Sequence, residues 1–289
     1  MPDHPRVFSA IAGVDFTSRP TRTKPIMVAL GHVGRAAVRV ARIDAHASFE
    51  SFAAWLRTPG PWLGAFDLQF GLPRELVAAL GWPMQWLPLV RHYAGLERRE
   101  IRAAFKAFCD ARPAGAKFAH RATDGPAGSS PSMKWVNPPV AYMLHAGMPL
   151  LLDAGVQLPG LHEGDPSRVA LEAYPGLLAR EMLGTRSYKS DDKAKQTPDR
   201  LIARKDLIEA LEQGRTRLDL RLRLSHAQRD ALVDDASGDR LDAVLCLLQA
   251  AWAAGQPNHG LPADLDPLEG WIVSAPATPA TPPPSPARR

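Results

Sequence analysis

Apolar positions fall into short runs at the start of the chain and into wider, helical spacings later. Residues 7–16 (VFSAIAGVDF) form an apolar run closed by an acid, as a buried strand would. A polar loop with two prolines, TSRPTRTKP, follows. Residues 26–30 (IMVAL) and 36–43 (AAVRVARI) are β-branched runs separated by Gly31 and Gly34, which reads as a hairpin. Residues 48–56 (SFESFAAWL) open with a capping Ser and set Phe49, Phe52 and Leu56 on one helical face. Residues 62–70 (WLGAFDLQF) form another apolar run with one acid inside, and Gly71-Leu72-Pro73 opens a helix over 74–80. The opening therefore reads β-β-β-α-β-α. Three consecutive strands, a crossover helix and a fourth strand predict an α/β protein with a mixed sheet covered by helices.

Residues 82–165 read as helical. The clearest helices are 96–110 and 140–154, with a Gly/Ser-rich loop at 124–132 between them. A fifth strand is expected at 168–174 (RVALEAY), running into a helix at 177–183. Further helices are expected at 205–212 and 225–234. Residues 239–254 (DRLDAVLCLLQAAWAA) give the strongest helix, with Leu241, Leu245, Leu248 and Trp252 as its core stripe. The last 16 residues, from Ser274, hold six prolines and read as a disordered tail. One domain is expected over 1–273.

Composition narrows the class. At 289 residues, 45% apolar and 22% charged, wholesale disorder is excluded. Two cysteines, Cys109 and Cys246, exclude a disulfide framework and a four-Cys zinc site. No apolar run reaches membrane-spanning length and no secretory signal opens the chain, so a cytoplasmic protein without a membrane partner is expected. The net charge of +5 is mildly basic and does not by itself establish a polyanionic partner.

The acids carry the chemistry. Asp15 ends the first apolar strand, Asp67 lies between Phe66 and Leu68, and Glu172 lies between Leu171 and Ala173. Asp242 stands beside the Leu241 stripe, with Asp239 one turn earlier on the same helix face. A carboxylate inside an apolar strand loses hydration at a cost of several kcal/mol unless something pairs it. Taken singly, each could pair with a basic side chain or cap a helix. Taken together, their oxygen ligands suit a shared magnesium or manganese ion. The histidines His92, His120, His145 and His162 lack partners at metal spacing. The glycine pair in GHVGR lacks the spacing of a phosphate-cradling loop.

GVDFTS at 13–18, GAFDLQFGLP at 64–73, LEAYP at 171–175, SYK at 187–189 and GDRLDAVLCLLQAAWA at 238–253 form an ordered motif series. The series resembles that of domain-of-unknown-function family 429, a predicted nuclease family with a ribonuclease H-like fold. The resemblance spans about residues 7–254. It implies a five-stranded mixed sheet flanked by helices, with a large helical insertion (about 82–165) between strands 4 and 5. It also implies that Asp15 and Asp67 share a cleft with Asp242 and Asp239, an arrangement similar to the Holliday-junction resolvase branch of that superfamily. Glu172 belongs to the family's own pattern.

The function this implies is metal-dependent hydrolysis of DNA or RNA. Asp15, Asp67, Asp239 and Asp242 would hold two magnesium or manganese ions about 4 Å apart, with Asp15 bridging and Glu172 completing the site. Basic residues add a phosphate-binding expectation. Residues 16–43 hold six Lys or Arg and no acid, and residues 186–205 hold seven basic and three acidic side chains. Lys189 is the first candidate to touch phosphate, followed by Arg19, Arg22 and Lys24. Two other functions compete: a non-catalytic module binding nucleic acid or protein, and, more weakly, an ATP-dependent phosphotransferase, which the missing Gly-rich loop disfavours. Sequence does not settle oligomeric state.

Overall fold

The structure is a computed structural model, and it describes residue 8, residues 10–35 and residues 37–277. Its sheet contains β1 (Ala10–Asp15), β2 (Ile26–Val33), β3 (Ala37–His46), β4 (Trp62–Asp67), β5 (Val156–Gln157), β6 (Asp165–Ala173) and β7 (Arg221–Arg223). The strands lie in the order β5-β6-β4-β1-β2-β3-β7. β1, β2 and β3 are mutually antiparallel, whereas β4 runs parallel to β1 and β6 parallel to β4. This is an α/β fold with a mixed sheet flanked by helices. The sheet has seven strands among the described residues, not the expected five. The two extra strands, β5 and β7, have two and three residues and sit at the sheet edges. Runs that short carry no readable alternation.

The helices are α1 (Phe49–Leu56), α2 (Arg74–Ala79), α3 (Trp86–Gly95), α4 (Arg98–Asp110), α5 (Asp124–Ala127), α6 (Ala141–Asp153), α7 (Pro175–Leu183), α8 (Pro198–Gln213), α9 (His226–Asp234) and α10 (Asp239–Ala254). Helix α1 starts where sequence places it, because the Ser48 hydroxyl accepts the Ser51 N–H. Helix α8 starts earlier than expected, with Pro198 in its first turn. Helix α5 is a single turn inside the expected Gly/Ser-rich loop. No helix among the described residues is long and apolar enough to cross a membrane.

Period-two alternation divides the core. Ile11, Leu63, Ala65, Val169 and Leu171 face one side, where α7, α8 and α10 pack. Ala12, Val14, Phe66 and Ala170 face the other side, with Phe52, Tyr93 and Phe105 above them. Helix α10 lies directly on β1. A Cβ at Gly13 would come 2.0 Å from the Leu247 nitrogen and 2.1 Å from the Ala243 carbonyl oxygen, so only glycine admits this approach.

The same alternation separates Glu172 from the other candidate acids. Leu171 and Ala173 face α10, so Glu172 between them faces the opposite side. There both of its oxygens meet Arg121, at 2.6 and 2.8 Å, and Oε2 also accepts the Phe70 N–H at 2.9 Å. Arg121 bonds Asp124 as well, at 3.0 Å. Arg121, Asp124 and Glu172 are 2%, 1% and 3% exposed, so this triad is closed to solvent. It ties α5 to β6, and the expected catalytic role of Glu172 is replaced by a structural one. The chain also leaves the sheet earlier than expected after Asp67, because Phe70 turns to reach Glu172.

The expected tail begins too early at Ser274. Ser274 and Ala275 are buried, and Ser274 lies 3.2 Å from the Gln249 amide nitrogen. The Val273 N–H bonds the Glu172 carbonyl at 2.8 Å, which docks this segment on β6. The tail expectation for 278–289, and the strand expectation at residues 7 and 9, lie outside the described residues.

Removing one member of a closed ionic triad strands the others without water. Arg121→Ala is therefore expected to lower the unfolding free energy by about 3–5 kcal/mol. Urea denaturation measures this, and a loss below ~1 kcal/mol would contradict the structural assignment of Glu172.

Candidate active site

Asp15 and Asp67 are the last residues of β1 and β4, and their Cα atoms pair directly in the parallel register. By alternation both point to the α10 face, since Gly13 and Ala65 two residues earlier do so. Adjacent strands are about 4.8 Å apart, so the two carboxyl groups are neighbours. Helix α10 begins above them. Its first residue is Asp239 and its fourth is Asp242, so both acids hang over the carboxyl ends of β1 and β4. Four of the five expected acids thus converge on one end of one sheet face.

Two of the four are neutralised by lysine. Asp242 is fully buried, and both of its oxygens are occupied: the Tyr188 hydroxyl donates to Oδ1 and the Lys189 ammonium to Oδ2. The Lys24 ammonium donates to Asp239 Oδ1 at 2.7 Å and to Asp191 Oδ1 at 2.6 Å. Burial opposes a charged Lys189, but Asp242, Tyr188 and Asp15 outweigh it and hold its pKa well above that of a free lysine. Lys24 and Lys189, expected on phosphate, are therefore bound within the acid cluster. Arg19 and Arg22 are exposed on the β1–β2 loop, where the description gives them no ion pair.

The other two carboxyl groups are open. Among the described residues, no hydrogen bond or ion pair reaches the carboxylate of Asp15 or Asp67. Burial first, then Asp242 and Asp239, hold Asp15 well above the usual carboxylate range, with Lys189 opposing. Burial and Asp242 push Asp67 up to about 7, again against Lys189. Such a pair has a deficit of positive charge, and hard oxygen donors fit magnesium or manganese. Among the described residues, no group of three or more His, Cys, Asp or Glu side chains is arranged to hold a metal ion. The fit is therefore to a two-carboxylate clamp, with Asp239 and Asp242 held away by their lysines.

No family model, curated protein or solved structure matches the chain. The reading of the site rests on its own geometry.

Residues that sequence did not single out complete the constellation. Tyr188 lies inside the SYK motif, and Asp191 two positions beyond it. The loop carrying them is held firmly. The buried Arg204 donates to the Tyr188 carbonyl at 2.8 Å and to the Val233 carbonyl at 2.8 Å. Gly238, at φ 78°, leaves space for the Lys189 stem, since a Cβ there would lie 2.7 Å from Lys189 Cβ. Arg204 and Gly238 carry no local sequence signal for this role, because their partners are 16 and 49 residues away in the chain.

The strained charges set a pH dependence. The folded-state pKa of Asp67 lies above its ordinary 3.8, so the folded protein holds a proton that the unfolded chain releases. The destabilisation is absent below pH ~4, grows as pH rises toward 7, and is complete above it. Asp67→Asn removes this penalty. In chelator-treated protein the variant should be more stable than the parent by on the order of 1–3 kcal/mol at pH 8, with the difference vanishing near pH 4. Thermal unfolding at the two pH values checks this, and a variant less stable at pH 8 would contradict it.

Proposed function

We propose that the chain is a metal-dependent hydrolase of phosphodiester bonds in nucleic acid, built on a ribonuclease H-like fold. The observation that carries this reading is the convergence of Asp15, Asp67, Asp239 and Asp242 at the carboxyl ends of β1 and β4. The strand arrangement supports the fold assignment: three antiparallel strands, then β4 and β6 added in parallel beside β1. In this reading the helical stretch between β4 and β6 is the insertion that shapes the cleft. Carboxyl ends of parallel strands are also where open α/β sheets bind ligands.

Asp15 and Asp67 would hold the cation. A bound magnesium or manganese ion stabilises charge on a phosphate oxygen and lowers the pKa of water. The chain supplies the rest. Asp15 and Asp67 fix the reacting phosphate at the strand ends. Asp242, held by Tyr188 and Lys189, keeps the Lys189 ammonium aimed at the same space. Arg19 and Arg22, exposed on the β1–β2 loop, would meet flanking phosphates. Hydrolysis forms one P–O bond to water oxygen and breaks the P–O bond to the leaving oxygen, which ends protonated.

The lysine pairing favours one alternative, a non-catalytic module in which Lys24 and Lys189 permanently neutralise the acids. Titration calorimetry with manganese separates the two, because a pure binding module requires no cation site. Asp15→Asn should reduce manganese-dependent cleavage by at least ~100-fold while leaving circular dichroism unchanged. Cleavage at the parental rate by purified Asp15→Asn protein would defeat the proposal. For the phosphate contacts, the Arg19→Ala, Arg22→Ala double variant should flatten the slope of log affinity against log salt by about 2. An unchanged slope would remove these arginines from the interface.

A further inference from the structure

The four clustered acids are not equivalent, and their difference limits what the site can bind. Asp15 and Asp67 are open toward the cleft. Asp242 has no oxygen to spare, because Tyr188 and Lys189 occupy both. Asp239 is bound to Lys24 at 2.7 Å. Four carboxylates and two ammonium groups sum to −4 + 2 = −2, the charge that one divalent cation cancels. A pair of carboxylates completed by water and substrate phosphate is a common way for proteins to hold magnesium.

Lys189 is built into this position. Its neighbouring carbonyl at Tyr188 is held by the buried Arg204, and its own carbonyl accepts the Ser187 hydroxyl at 3.1 Å. The next residue is fixed as well, since the Ser190 N–H bonds the Ala236 carbonyl at 3.0 Å. Gly238 gives the side-chain stem room at the start of α10. The side chain is still 40% exposed, so one side of its stem and head faces solvent while it holds Asp242. A surface lysine that merely paired an acid would need none of this support.

Resting on the hydrolase reading above, we infer that the site takes one divalent cation, held by Asp15 and Asp67, and that the Lys189 ammonium stands in the place a second cation would fill. Lys189 then neutralises the phosphate by hydrogen bonding and transfers no proton. Asp242 and Tyr188 are positioning residues that aim it. The two-cation arrangement expected from sequence is replaced, because a second ion would have to displace Lys189 from a fully buried carboxylate.

The test is stoichiometry, which does not depend on turnover. Manganese titration of the full chain, followed by calorimetry and by electron paramagnetic resonance of the free ion, should give one ion per chain. Lys189→Met frees Asp242 and should raise the count toward two, while Lys189→Arg keeps it at one. Asp15→Asn should abolish the site. Circular dichroism identifies any variant that fails to fold, and the parental count decides the matter without the variants. Two ions bound to the parent would overturn the inference and leave the hydrolase reading standing. No ion bound to the parent would overturn both. Lys189→Met should also lose about 10²–10³-fold in kcat, as removal of one preorganised charge donor does.

Discussion

Four carboxylates crowd one end of one sheet face, and their mutual repulsion is the constraint around which the surrounding structure is arranged. Burial raises the cost of every charge there. Two ammonium groups, Lys24 and Lys189, remove part of that repulsion by bonding Asp239 and Asp242. Asp15 and Asp67 keep theirs. The folded protein therefore carries unrelieved negative charge at a single location, in the manner of sites whose stability is lowered in exchange for a ligand's binding energy.

The hydrophobic pattern made the central strands and their order along the chain legible. Runs such as AIAGVD and WLGAFD are long enough and apolar enough to fix strand type, and α10 is marked by its leucine stripe. The edge strands β5 and β7 were hidden because two or three residues leave no periodic trace. The candidate acids were legible as charges in apolar company. Their fates were not, because a partner far along the chain decides each one. Asp67 and Glu172 look alike in sequence, each flanked by apolar residues. Register settles the difference: Asp67 pairs with Ala173, so Glu172 falls on the opposite face, where Arg121 is waiting.

The lysines illustrate the same limit from the other side. Lys24 sits in a loop rich in Thr, Pro and Arg, which reads as a solvated phosphate-binding segment. In the fold the loop brings it to the start of α10, 215 residues away in sequence, and its charge is spent on Asp239 and Asp191. Arg121 lies in a stretch with no strong pattern, yet it anchors α5, β6 and the segment carrying Glu269 through a single guanidinium, including a 3.0 Å bond to the Glu269 carbonyl. Side chains that bridge distant elements leave a signature only in three dimensions.

Gly13 gives the site an unexpected dependency. The absence of one methyl group there sets how closely α10 rides on β1, since Ala243 and Leu247 fill the vacated space with their own backbone. Asp15 is two residues along the strand from this point of contact, and Asp242 is next to Ala243 on the helix. The gap between the strand acids and the helix acids is thus gauged by a spacer of zero thickness buried in the hydrocarbon layer. The reach of the charged end of the cleft is calibrated from a place no solvent or substrate ever touches.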